Sequence, residues 1–257
     1  MNGEPDEQQL EKVAYWSVLR AAARLTADTA ILDLDPHDEP VSLALARRAQ
    51  YLCAVQPSAY PFHWWRDWAR DQGISSILHL NASAEVLPFR DHSFDVITCR
   101  FPTFRHTQLP GVLTEAKRLL RPGGRVLFGG LILPEEPRQA SFIAALAQLW
   151  NPPIFGERTT YSLTEWAKLF SEAGLRYQML TRWQHPLVTG RGLRFQRSVQ
   201  GQSSEYQKHL QETWARGEQL DEMIDTASPD LVTAFSIQHY PLRAVLRPCA
   251  LFGGWVR

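Results

Sequence analysis

Short apolar runs alternate with stretches of helical periodicity throughout residues 30–183, a pattern that few folds accommodate. Residues 30–34 (AILDL), 51–55, 76–80, 94–98 (FDVIT), 125–131 and 176–183 have the length and composition of strands. A strand covered on both faces reads as a nearly continuous apolar run, so these are the strands of a parallel sheet. Between them lie helical stretches at 41–49 (VSLALARRA), around Trp64, Trp65 and Trp68, and at 112–120 (VLTEAKRLL). Strand and helix alternating at this spacing build βαβ units, with a mostly parallel sheet and helices on both faces.

Local signals sharpen the boundaries. Residues 121–124 (RPGG) predict a tight turn from helix to strand, because proline stops the helix and the glycines supply a permissive backbone. Ser162 and Glu165 form a capping box ahead of Trp166, Leu169, Phe170 and Ala173, with Gly174 placed to end that helix. Leu10, Ala14, Val18, Ala21 and Leu25 predict an N-terminal helix with one buried stripe, leaving Tyr15 and Trp16 off it. Residues 188–203 have little periodicity, Ser204 and Gln207 can cap a further helix, and 242–246 and 250–256 read as a terminal pair of strands. The expectation is one domain over 1–257: an N-terminal helix (1–29), a core (30–183), a helical cover segment (184–234) and terminal strands (235–257).

Composition excludes several classes. The 257 residues carry 27 Lys+Arg against 27 Asp+Glu, a formal net charge of +0. A general nucleic-acid or anionic-membrane binder needs an excess of cations to displace counterions, so neither is expected. No apolar run approaches the roughly 18 residues of a membrane span. The acidic, polar start lacks a secretory pattern, so a cytoplasmic location is expected. Cys53, Cys99 and Cys249 are far apart and odd in number, which signals neither a disulfide framework nor a zinc motif, and they are read as packed thiols.

Three segments in order carry a family resemblance: residues 84–101 (AEVLPFRDHSFDVITCRF), 113–128 (LTEAKRLLRPGGRVLF) and 165–175 (EWAKLFSEAGL). With them the chain resembles the class I S-adenosylmethionine-dependent methyltransferases, in particular the small-molecule branch that includes quinone-type enzymes. The resemblance implies a Rossmann-like α/β fold, a seven-stranded mostly parallel sheet with helices on both faces. It also implies S-adenosylmethionine as cofactor, a small-molecule substrate, and a site beyond the carboxyl ends of the strands.

The resemblance assigns residues to that site. Asp33 keeps the acid at the head of the first turn, while Asp35, His37 and Glu39 stand where the family has the three glycines of its cradle. Gln56 replaces the acid that accepts the ribose hydroxyls, and Ser83 the acid that receives the adenine amino group, followed by Ala84 and Glu85. A carboxylate about 4 Å from the cofactor's own carboxylate costs on the order of 4 kcal/mol at an effective dielectric near 20. The cofactor's ammonium and sulfonium would instead favour an acid there. Residues 99–108 (CRFPTFRHTQ) face the methyl group and substrate in relatives, which makes His106 a candidate base and Arg100 and Arg105 candidate anion holders.

Alternatives stand beside each reading. The cluster of Asp33, Asp35, His37, Asp38 and Glu39 reads as a capping loop, a remodelled cradle or a metal site, although its spacing matches no metal motif. Tyr60, Phe62, Trp64, Trp65 and Trp68 suit core packing or a flat ligand, and Arg182, Arg191, Arg194 and Arg197 suit a solvated surface or a docking patch. Three functions follow: methyl transfer to a small molecule, a pseudoenzyme that binds a protein partner, or a cyclase or lyase on the same fold.

Overall fold

The structure is a computed structural model, and it describes residues 15–36, 40–56, 69–71, 73–100, 108–150, 161–188, 233–237 and 240–255. Among these, the strands are β1 (Ala30–Leu34), β2 (Tyr51–Gln56), β3 (Ile77–Asn81), β4 (Phe94–Arg100), β5 (Leu120–Leu131), β6 (Arg176–Val188), β7 (Thr233–Ile237) and β8 (Tyr240–Trp255). The helices are α1 (Trp16–Ala23), α2 (Pro40–Ala46), α3 (Leu109–Leu119), α4 (Pro137–Trp150) and α5 (Leu163–Glu172). The sheet runs β3-β2-β1-β4-β5-β8-β6, with β7 paired to β8 outside that path. Strands β1 to β5 pair with one another in parallel, and β8 runs antiparallel between β5 and β6. The expected seven-stranded α/β architecture is present. No helix among the described residues is long and apolar enough to cross a membrane.

Period-two alternation along the strands divides the core between the two faces of the sheet. Ala30, Leu32 and Leu34 of β1 join Val112, Leu113, Trp166 and Phe170 on the side of α3 and α5. Ile31 joins Leu19, Leu43 and Leu45 on the side of α1 and α2. Every residue of β1 is buried, as its unbroken apolar run requires.

The capping box of α5 forms as expected: the Glu165 amide donates to Ser162 Oγ at 3.3 Å, and the Ser162 amide donates to the Glu165 carboxylate at 2.7 Å. Gly174 ends that helix with φ +69°, a backbone region that favours glycine. Helix α4 has no counterpart among the expected elements. It begins where Glu136 accepts the amides of Arg138 and Gln139 at 2.9 and 2.7 Å.

Three expectations are corrected. Helix α1 buries Trp16, Leu19 and Ala23, not the Val18, Ala21 and Leu25 stripe, because its largest ring seeks the core. Tyr15 packs 4.9 Å from the Trp183 ring. Residues 121–124 loop out within β5 rather than separating it from the helix: Leu120 pairs with Phe94 and Arg125 with Val96, with the register shifting between them. The terminal pair of strands is one continuous strand, β8, which pairs with β5, β6 and β7. The aromatic segment around Trp64 and the helix after Ser204 lie outside the described residues.

The segment after β3 is stapled to α3. Glu115, which is buried, accepts the Leu87 amide at 2.8 Å and the Arg118 guanidinium at 2.7 Å. Arg118 also donates to the carbonyls of Phe89 (2.9 Å) and Leu87 (3.2 Å) and to Asp91 (2.6 Å). The Arg118 hydrogen bond holds the Glu115 carboxyl below its ordinary range although burial pulls the other way. This staple anchors the loop that carries Ser83, Ala84 and Glu85.

Candidate functional site

The carboxyl ends of β1, β2 and β4 meet at one edge of the sheet. Asp33 is opposite Thr98 in the register of β1 with β4, and both face α2. The Asp33 carboxylate is fully buried and accepts Thr98 Oγ1 at 2.7 Å, Ser42 Oγ at 2.5 Å and Arg100 Nη2 at 2.9 Å. Arg100, 2 % exposed, also donates to Ser42 Oγ. A buried carboxylate is tolerable only with a counter-charge and satisfied lone pairs, and this network supplies both. It ties the ends of two strands to the first turn of a helix.

Asp35, expected at the position of the family's first glycine, follows. Its φ is +52°, in the left-handed region, and its amide donates to Val55 O at 2.8 Å. Aspartate is one of the few residue types other than glycine that tolerate this region. A sharp turn therefore forms here without a glycine, and the Asp35 side chain is itself buried. Gln56, buried at the end of β2, donates from Nε2 to Pro36 O and so ties β2 to the same turn. That bond leaves Oε1 as the acceptor it can offer a ligand.

On the neighbouring loop, Ser83 Oγ accepts the Glu85 amide at 3.4 Å, and Glu85 accepts Gln108 Nε2 at 2.9 Å, joining the loop to the start of α3. Ala84 is buried, while Ser83 is exposed. Cys99 lies between Thr98 and Arg100 on the opposite face of β4. Burial first, then Asp35 and Asp33, push its thiol well up despite Arg100, so it stays protonated and is no nucleophile. Burial alone pushes the Cys53 thiol up to about 11.

Of the residues expected at the site, Asp33, Asp35, Gln56 and Arg100 converge at the strand ends, and Ser83, Ala84 and Glu85 lie on the adjacent loop. His37, Arg105 and His106 lie outside the described residues. Among the described residues, no group of three or more His, Cys, Asp or Glu side chains is placed to hold a metal ion. Ser42 and Thr98 were not singled out from the sequence. Thr98 and Arg100 are two apart on β4, hence on one face, which was the available signal; Ser42 had none.

A methyltransferase-domain family matches residues 38–128. YcgJ of Bacillus subtilis (strain 168), an uncharacterised methyltransferase, is 29% identical over 182 residues, 71% of this chain and 71% of its own. These comparisons support the class I S-adenosylmethionine-dependent methyltransferase family for this chain. Another relative in that family is the ubiquinone/menaquinone biosynthesis C-methyltransferase UbiE of Idiomarina loihiensis. It is 46% identical over 63 residues, about a quarter of either chain (24% and 25%). In fold, the YcgJ crystal structure superposes with a TM-score of 0.74 at 23% identity, covering 94% of this chain and 97% of that one. The cyclase SpnF superposes at 0.62 with 14% identity over 93% of this chain and 78% of its own, so methyltransferase and cyclase share this architecture.

The residues present fit the cofactor of this family. That molecule carries a carboxylate, an ammonium and a sulfonium, hence one net positive charge. Two buried carboxylates, Asp33 and Asp35, and one buried guanidinium, Arg100, lie at the strand ends among the described residues. Acidic groups at this place suit a ligand with an excess of positive charge, and Asp35 makes a left-handed turn beside them.

Proposed function

We propose that the chain binds S-adenosylmethionine beyond the ends of β1, β2 and β4 and promotes methyl transfer to a small organic molecule, as a single-domain cytoplasmic enzyme. The observation that carries this reading is the Asp35 turn, kept in a left-handed conformation beside the buried Asp33–Arg100 pair. Holding these charges out of water costs several kcal/mol per ion, a cost that a cationic ligand at the strand ends would help to offset.

When bound, the cofactor supplies an electrophilic methyl group on a sulfonium. Asp35 attracts the cationic end of the ligand, and Arg100 neutralises and orients Asp33 so that the edge does not carry the full charge of both acids. Gln56 Oε1 accepts one ribose hydroxyl, Ser83, Ala84 and Glu85 line the adenine edge, and His37 contributes to cofactor binding. His106 is the base for an acceptor that must lose a proton, and Arg105 holds an anionic acceptor.

A second reading is a chain that binds a protein partner without transferring methyl groups. Gln56 and Ser83 favour it, because each replaces a charged acceptor, worth roughly 1.5–3 kcal/mol in a hydrogen bond, by a neutral one. The test is to incubate the purified protein and methyl-labelled S-adenosylmethionine with fractionated small-molecule extracts. Label should move into a small-molecule fraction, and Asp33→Asn should reduce the rate at least tenfold. Label that never leaves the donor in any fraction would favour the second reading.

A further inference from the structure

The end of the sheet opposite the site, where β5 and β6 begin and β8 finishes, holds a cleft beneath α1. Its volume is about 410 Å³, within the roughly 300–1,000 Å³ range of small-molecule sites. Ala22, Leu127, Leu180 and Trp255 line it with apolar surface, and its charged lining residues are Arg24 and Arg125, with no carboxylate. A second, polar cleft of about 360 Å³ adjoins it through the same two arginines and Gly123. That half contains Asp28, Asp95 and Arg121, of which Arg121 is paired with Asp95 at 2.8 Å.

Arg24 and Arg125 have neither a hydrogen-bond nor an ion-pair partner among the described residues. Two guanidinium groups side by side repel, and Arg125 is partly buried as well. Burial, then the charge of Arg24, lowers the pKa of Arg125 from its ordinary value. Arg24 closes α1 with φ +49°, a strained region for a residue other than glycine. Strain, like-charge repulsion and partial burial converge on one point at the mouth of an apolar slot, and an anion seated there relieves the last two. The planar guanidinium fork matches a carboxylate in two parallel hydrogen bonds.

We propose that this cleft binds an amphipathic monoanion, its carboxylate headgroup on Arg24 and Arg125 and its apolar tail against Leu127, Leu180 and Trp255. The site is separate from the proposed methyl-transfer site, which lies at the other end of the same strands. The test is calorimetric titration of the full chain with laurate, dodecanol and acetate, each below its aggregation or solubility limit. Laurate should bind saturably at one site per chain, with dodecanol and acetate at least tenfold weaker. R24Q/R125Q should weaken laurate at least tenfold, each single variant severalfold, and R121Q not at all. Melting temperatures of the variants close to that of the unaltered chain separate lost binding from lost folding. Absence of saturable laurate binding, or binding that survives R24Q/R125Q, overturns the proposal. Equal affinity for laurate and dodecanol overturns the headgroup contact, and equal affinity for acetate overturns the tail contact.

Discussion

Replacing Arg100 by alanine should destabilise the fold by about 3–5 kcal/mol, the cost of leaving a buried charge without its counter-ion. Asp33 is fully buried, and Arg100 at 2.9 Å is the cation in contact with it; Thr98 and Ser42 donate hydrogen bonds but no charge. Urea unfolding at neutral pH reads the loss as a lower transition midpoint at unchanged slope. The double change Asp33→Asn with Arg100→Met should recover most of the stability, because an amide can keep bonds to the two hydroxyls and no charge remains. A loss below about 1 kcal/mol for Arg100→Ala, in the range of exposed pairs, would mean that water reaches this pair in solution.

Replacing Trp166 by alanine should cost a comparable 3–5 kcal/mol, about the usual penalty for a buried tryptophan truncated to a methyl group. The Trp166 ring docks α5 onto the sheet: it lies 5.0 Å from Phe252, 5.3 Å from Tyr161, and 6.2 Å from both Phe128 and Phe170. Its indole nitrogen is buried and has no hydrogen-bond partner among the described residues. Trp166→Phe should therefore be mild, within about 1.5 kcal/mol, since losing an unsatisfied donor offsets part of the lost packing. Thermal or urea unfolding of both variants checks this. Equal losses for phenylalanine and alanine would show that the ring's volume alone does not explain its role.

The strands were legible because a strand buried on both faces leaves an unbroken apolar run, as AILDL does in β1 and FDVIT in β4. The capping box of α5 was legible because it depends on two residues three apart. The face of α1 was not. Alanines satisfy either of two neighbouring stripes, and only the packing of Tyr15 and Trp16 against other elements selects one. Strand β8 read as two because Arg247 and Pro248 interrupt its apolar pattern. Pro248 falls just outside the β5 pairing, which starts only at Cys249, so on that side of β8 no ladder amide is required of it.

The same division holds at the site. Asp33 stood out as an acid at the end of an apolar run, and Asp35 as a non-glycine in the cradle. What each does depends on register. Thr98 meets Asp33 only because β1 and β4 are neighbours in the sheet, and Ser42 only because α2 starts directly over them. Asp35 also has a left-handed φ, so a sharp turn forms at a residue other than glycine. Residue identity alone does not reveal that turn.

The most direct measurement is calorimetric titration of the unaltered chain and of Asp35→Asn with S-adenosylmethionine and its demethylated product. Asparagine tolerates the same left-handed turn, so the variant removes charge while leaving the backbone in place. The unaltered chain should bind both ligands. Asp35→Asn should weaken the cationic S-adenosylmethionine about tenfold, roughly 1.4 kcal/mol, and the product, which lacks the sulfonium charge, distinctly less. No saturable heat with either ligand up to millimolar concentration would contradict a cofactor site at these strand ends.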